Sequence, residues 1–398
     1  GTLSGTSAVM KLAMIGFGQA GGKILDRFLE YDSTRGTGII GHAVAVNTAK
    51  ADLMGLDYVP NENRVLIGQS VVKGHGAGTE PELGERCARE DMEEIQSAID
   101  AMTSSEIDAF LIMAGLGGGT GSGGAPVLAE HLQRLYVEPI YGLGILPARD
   151  EGGIYNRNAA RSFQEFAESV DNLLTFDNDA FKTGGESLGE GYAEINQEIV
   201  ARFGALFSAG EVEAMGDDVA ESVVDASEII NTLGDHGITS IGYASEEIET
   251  QNKGLLDRFR GNNDSDGIES SGDATNRITS LVRRATLGKL TLQCEVDSTE
   301  RALLLVSGPP KALNRKGIDK ARKWLEETTG CMEVRAGDYP LPNENKVAAI
   351  VVLSGVTDVP RVKEMQRMAI EAEENVEQLR AKSKDDLDDL IEYGDDEE

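Results

Sequence analysis

Apolar residues along this chain of 398 fall into two alternating kinds of run. Continuous apolar runs predict buried strands at 10–15, 42–46, 107–113, 139–146, 171–176 and 238–243, because a strand covered on both faces has no polar side to alternate with. Between them lie segments with apolar residues three and four apart, the helical interval. Ile24, Phe28 and Tyr31 make one such face in 24–31, Met92, Ile95 and Ile99 another in 85–102, and 125–135 carries a third. In 192–207 the residues Ile195, Ile199, Phe203 and Leu206 share a side. Helix 274–287, strands 291–296 and 302–307, helix 316–328 and strand 347–353 follow, with Trp324 expected in the core there. Finally 362–379 has Met365, Met368, Ala372, Val376 and Leu379 at helical intervals and is expected to dock on the body. The order predicts an α/β fold: a doubly wound sheet, the strong helix at 192–207, then a second, smaller mixed-sheet α/β domain.

One stretch organises the rest. AGLGGGTGSG (114–123) sits between the strand 107–113 and the helix 125–135. Strand, glycine loop and helix make a phosphate site: a loop nearly free of side chains lets backbone amides approach an anion, and the helix N-terminus adds its positive dipole end. Thr120 and Ser122 add hydroxyls without bulk. No lysine follows in the P-loop spacing. A second glycine turn, GFGQAGG (16–22), contains a G-x-G-x-x-G that alone signals dinucleotide binding only weakly. The dinucleotide version wants an acid at the end of the second strand, and here 42–46 ends in Asn47 and Thr48. An NAD-dependent oxidoreductase is therefore the weaker alternative, beside a nucleotide-binding regulator that does not polymerise.

Charge adds a partner class and an environment. The net charge is −32 with a pI near 4.5, which argues against nucleic acid as a partner. The end of the chain, 385–398, holds acids and no base, but the acidity is spread through the rest as well. Such a surface is what a cytoplasm of saturating salt permits, where a Debye length of roughly 3 Å at 1 M screens self-repulsion. No run reaches the ~18 apolar residues of a membrane span, no secretory signal opens the chain, and Cys87, Cys294 and Cys331 have no metal spacing. A cytoplasmic protein of a halophile is expected. Residues 1–9 read as an expression scar preceding a start at Met10 and are left out of the fold.

The wording of the organising loop, GGGTGSG, resembles the signature loop of the tubulin and FtsZ superfamily of GTPases, and the resemblance extends over about 10–356. GFGQAGG is similar to that superfamily's first nucleotide loop, NTAKADL (47–53) to its second, and GHGAGTEPELG (74–84) to its third, which senses the terminal phosphate. The implied fold is a Rossmann-like GTPase domain at 10–190, a core helix at 191–209, an activation domain with the catalytic loop at 210–356, and a C-terminal helix with an acidic tail at 357–398. The resemblance implies GTP or GDP with Mg²⁺ bound by Gln19, Ala20, Gly21, Gly22, Lys23, Asn47, Ala77, Gly78, Thr79, Gly117, Gly118, Gly119, Thr120, Gly121 and Ser122. Glu151 matches the acidic contact to ribose, Asn178 the reader of the guanine edge, Tyr192 the aromatic stacked on the base, and Asn196 an amide bonding guanine. FtsZ proteins place an arginine four residues after that glutamate; here Tyr155 stands there and Arg157 two further on.

DDVAESVVDASE (217–228) resembles the loop that one subunit inserts into its neighbour's site, which makes Asp225 and Glu228 the catalytic candidates, supplied in trans. Segment 246–275 lies where the superfamily has its lateral-contact loop. Tubulin-like residues at Asn178, Tyr192, Asn196 and Glu228 on an otherwise FtsZ-like chain, with heavy acidity, resemble the archaeal CetZ family, cytoskeletal proteins of cell shape and motility. The expected partners are the protein itself, in head-to-tail protofilaments and lateral sheets, and adaptor proteins at the acidic tail.

Overall fold

The computed structural model describes residues 9–101, 106–182, 188–209, 224–248 and 271–395. Ten strands form one sheet in the order β3-β2-β1-β4-β5-β6-β7-β10-β8-β9. They are β1 (Leu12–Phe17), β2 (Ile40–Asn47), β3 (Arg64–Leu66), β4 (Ala109–Gly115), β5 (Ile140–Leu146), β6 (Asn172–Asp177), β7 (Ile238–Glu247), β8 (Arg301–Gly308), β9 (Val334–Pro340) and β10 (Lys346–Ser354). From β3 to β7 all neighbours are parallel; β10 runs antiparallel to both β7 and β8, and β9 is parallel to β8. The strands of the second unit thus extend the first sheet. The join is narrow, with β6 and β7 paired at Leu173↔Ile238 and Leu174↔Thr239. Buried hydrogen bonds reinforce it: the Thr239 hydroxyl donates to Asn172 Oδ1 at 2.7 Å, and Asn172 Nδ2 donates to Leu233 O at 2.9 Å and to Ser354 Oγ at 3.1 Å.

Strand residues alternate between two cores, one per face. Ala13, Ile15 and Phe17 join one cluster, while Leu12 and Met14 join the other. The first face is covered by α2 (Pro81–Glu90), α3 (Met92–Asp100), α4 (Thr120–Leu135) and α5 (Gly153–Ser169), and farther along by α8 (Ser271–Leu287) and α9 (Arg315–Thr329). The second is covered by α1 (Gly18–Arg35), the central helix α6 (Leu188–Phe207) and α7 (Ala226–Leu233). Ile195, Ile199, Phe203 and Leu206 of α6 are all buried there, as their spacing predicts. The last helix, α10 (Pro360–Asp395), begins packed against α5; every residue from Glu373 to Ile391 is exposed.

Several expectations change. Helices α1 and α4 begin at Gly18 and Thr120, inside the glycine runs, because glycine lacks apolar side chains to announce a helical face. The helix expected over 85–102 is two helices meeting at Asp91, whose Oδ2 accepts from Gly68 N at 2.6 Å. Segment 291–296 forms no strand: Leu290 makes an isolated bridge to Gly242, and Leu292 N donates to a hydroxyl, Ser240 Oγ, at 3.1 Å. β9, VRAGDYP, escaped the pattern because a glycine, two charges and a proline hide its period. Val9, assigned to the scar, is buried. The lateral-contact segment falls largely on residues outside those described.

Candidate functional site

The glycine loops meet at the carboxyl ends of the parallel strands, where β1 and β4 lie side by side. Gly18 leads from β1 into α1 at a φ of +82°, and a Cβ there would lie 3.0 Å from Gly121 N in the first turn of α4. A side chain at either position would push apart two helix N-termini that converge on one spot. From the other side the third loop closes in: Gly119 N donates to Gly78 O at 2.8 Å, and a Cβ on Gly84 would stand 2.2 Å from Gly119 O. Two positive dipole ends and a glycine backbone make an anion cradle.

Hydroxyls tie the three loops together. Thr48 Oγ1 and Thr120 Oγ1 are 2.6 Å apart, and Thr48 Oγ1 also accepts from Ala77 N at 3.0 Å. Ser122 Oγ donates to Gly118 O. The Thr120 hydroxyl therefore helps hold the loops in register, while that of Ser122 bonds within its own loop. Asn47 is buried, and its Oδ1 accepts from Thr48 N at 2.8 Å and Ala49 N at 3.1 Å, shaping the second turn from within. Gln19, Ala20 and Lys23 are exposed on the first turns of α1, with Gly21 and Gly22 buried behind them; Ala77 is buried, Gly78 exposed and Thr79 half-buried.

Asn158 went unread in the sequence. It sits on α5, and its Nδ2 donates to Thr79 O and Gly117 O, each at 3.0 Å, stitching the third loop to the signature loop. Tyr155, one turn earlier, packs on Gly117. Arg157 lies about 200° round the helix from Tyr155 and so leaves the face that meets the loop.

The nucleoside candidates also converge. Tyr192, at the start of α6, donates its hydroxyl to Glu151 Oε1, while Glu151 Oε2 accepts from Ala148 N. Burial and the Glu151 carboxylate raise the Tyr192 phenol well above its usual range, so it stays a neutral donor. Asn196 is half-buried one turn on. Asn178 follows β6 directly and is 7% exposed, with Oδ1 buried and lacking a hydrogen-bond partner among the described residues. A buried acceptor without a partner costs on the order of 1–3 kcal/mol, a cost that a ligand donor would remove. Phe181, on the same short turn, stacks on Phe176 at 4.5 Å and lies under Arg202 of α6 at 4.8 Å, which fastens that turn to the helix carrying Tyr192 and Asn196.

Behind these residues is a buried ion pair. Arg361, on the first turn of α10, places Nε 3.1 Å from Asp177 Oδ2 and donates from Nη2 to Pro147 O at 2.8 Å. Asp177 Oδ1 in turn accepts from Asp179 N at 3.0 Å. Burial pushes the Asp177 carboxyl up to about 6, with Arg361 pulling the other way.

The catalytic candidates stand elsewhere. Asp225 caps α7, its Oδ1 accepting from Glu228 N at 3.2 Å and Ser227 Oγ at 2.5 Å. Glu228 Oε2 pairs with Arg335 Nη1 of β9 at 2.7 Å. β9 is at the opposite edge of the sheet from β3, seven strands from β1. At ~4.8 Å per strand that is some 30 Å from this chain's own anion cradle. The preceding part of the loop, 217–223, lies outside the described residues.

Comparison with known proteins accords with this geometry. Residues 11–184 match the model of the Tubulin/FtsZ family GTPase domain, and 185–371 that of the tubulin-like CetZ C-terminal domain. The chain is 62% identical over 374 residues to tubulin-like protein CetZ1 of Haloferax volcanii, covering 93% of this chain and 94% of that one. Among solved structures it is similar to the GDP-bound monomer of H. volcanii CetZ1, with a TM-score of 0.80 and 59% identity over 92% of this chain and all of that one. The GTPγS-bound protofilament of H. volcanii CetZ2 gives 0.81 and 42% over the same shares. Two consecutive family matches and a relative this similar along nearly its whole length mean that the chain belongs to the CetZ family of tubulin-like proteins.

Proposed function

We propose that this protein is a cytoskeletal GTPase that binds GTP, assembles head-to-tail and hydrolyses the nucleotide at the subunit interface, with Glu228 supplied by the neighbouring copy. The observation that carries the reading is the separation of Glu228 from the glycine loops. A phosphate cradle at one end of the sheet and a carboxylate near its far edge cannot meet within one chain, whereas a repeat that translates without closing brings each to its complement. The GTPγS-bound CetZ2 protofilament supports self-association of this kind.

In that arrangement the loops of α1 and α4 hold the phosphates, Glu151 takes the ribose, Asn178 Oδ1 accepts from guanine, and Tyr192 lies against the base with Asn196 beside it. Glu228 orients the attacking water and accepts its proton. Asp225 holds the α7 N-terminus from which Glu228 projects. Among the described residues no cluster of three or more His, Cys, Asp or Glu could hold a metal. Mg²⁺ would be held as a companion of the phosphates, by their oxygens, water and the exposed Gln19 amide. Its chemistry would be to neutralise charge on the β- and γ-phosphates. Among the described residues no helix is long and apolar enough to cross a membrane; a cytoplasmic filament acting in cell shape or motility, with adaptors at the acidic tail, completes the reading. Phosphate release per molecule, measured in molar KCl from dilute to polymerising concentrations, tests it. The rate should climb with concentration, and a constant rate would mean that the site is complete in one chain.

A further inference from the structure

The start of α10 does more than close the fold. Arg361 is 3% exposed, a poor place for an unpaired charge, and its contacts end on two arms of the nucleoside site. One arm is 147–152, which carries Glu151. Arg361 Nη2 donates to Pro147 O at 2.8 Å and to Asn156 Oδ1 at 3.4 Å, while Asn156 Nδ2 donates to Gly152 O at 2.9 Å. The other arm is 177–179, which carries Asn178, and Arg361 Nε reaches Asp177 Oδ2 at 3.1 Å. A second bridge crosses the same arms nearer the surface. Arg149 pairs with Asp179, and it donates from Nε and Nη2 to the two carboxylate oxygens of Glu364 at 2.5 and 2.6 Å. Arg361 and Glu364 are three apart, one turn of α10.

We propose that Arg361 and Glu364 are positioning residues for guanine recognition: by clamping the arm of Glu151 to the arm of Asn178 they set the spacing between ribose and base contacts. This rests on the nucleotide site proposed above. A buried ion pair is weak evidence of stability, since its desolvation offsets much of its attraction. A planar guanidinium with donors in a fixed fork is well suited to holding two arms at one separation. By linkage, whatever loosens α10 weakens guanine binding, and bound guanine nucleotide holds α10 down by the same factor.

The test compares affinities for GTP and inosine triphosphate, which lacks only the 2-amino group, together with thermal midpoints, in molar KCl. Arg361→Met should lose about tenfold in preference for GTP over inosine triphosphate, the scale of one net hydrogen bond. Glu364→Gln, which keeps the buried pair and so spares the fold, should lose part of that preference in the same direction. Arg301→Met is the control: Arg301 holds Thr232 O at 2.8 Å and Leu233 O at 3.1 Å, beside Asn172 at the other end of β6 from the 177–179 arm. It should lower the midpoint with the preference unchanged. Arg361→Met and Glu364→Gln proteins that discriminate like wild type, whatever their midpoints, overturn the proposal. Wild type that binds ATP and GTP alike removes guanine recognition by the proposed site itself, a failure distinguishable from the first. If Arg361→Met does not fold, Glu364→Gln decides alone.

Discussion

Two arginine–carboxylate pairs sit in opposite halves of this molecule and differ in exposure. Asp177 and Arg361 leave 5% and 2% of their side chains exposed, whereas Glu228 and Arg335 leave 38% and 31%. The buried pair is shielded from salt and fixed by hydrogen bonds on several sides, so it suits a geometry that must not vary. The exposed pair is worth at most about 1 kcal/mol and releases its carboxylate easily. A group that must serve the neighbouring chain has to be available in this way. On the function proposed above, the difference separates recognition, built into one half of the sheet, from hydrolysis, which the other half would deliver to the neighbouring chain.

The largest expected effect breaks the exposed side of the comparison. Glu228→Ala should slow GTP turnover by about 10²- to 10⁴-fold, read as phosphate release from assembled protein, with GTP binding intact. Glu228→Gln should give stable, GTP-loaded polymers that fail to turn over; normal hydrolysis in either variant would reduce Glu228 to a helix-start acid. Next comes the buried side. Arg361→Met leaves Asp177 uncompensated and should cost about 3 kcal/mol of stability in chemical denaturation. Arg335→Gln, the matched change at the exposed pair, should cost under about 1 kcal/mol; equal losses would erase the contrast.

A smaller effect appears with pH. The Asp177 carboxyl lies raised at about 6, above its ordinary 3.8, with Arg361, Arg149 and Asp179 facing it. A raised acid contributes stability that is full below its unfolded value and is lost as pH rises through about 6. Relative to Asp177→Asn, wild type should therefore gain stability between pH 7 and 4, and a pH-independent difference would contradict the assignment. The gentlest test is salt. With a charge of −32, the thermal midpoint should rise with KCl beyond about 0.5 M, where simple screening is mostly spent. The buried-pair penalty of Arg361→Met should stay constant over that range.

Legibility followed locality. The glycine loops, the strand 107–113 and the α6 face were readable because each signal lies within a few residues of the structure it makes. Asn158, Thr48 and Arg361 were not. Arg361 finds Asp177 across 184 residues, and Asn158 finds Thr79 across 79. An arginine opening an amphipathic helix looks the same in sequence whether water or a buried carboxylate waits for it.

By itself the sequence determined which runs are buried, where the backbone must be bare of side chains, and that the surface is acidic, since periodicity, glycine and charge act through neighbours in the chain. Only the tertiary structure decided what those features face. It turned the Thr120 hydroxyl inward to tie two loops, left Asn178 Oδ1 without a partner among the described residues, and set Glu228 beside β9. Such pairings depend on which strands lie side by side, and in a sheet ordered β3-β2-β1-β4-β5-β6-β7-β10-β8-β9 that adjacency is fixed by the packing of both cores together, which no local stretch encodes.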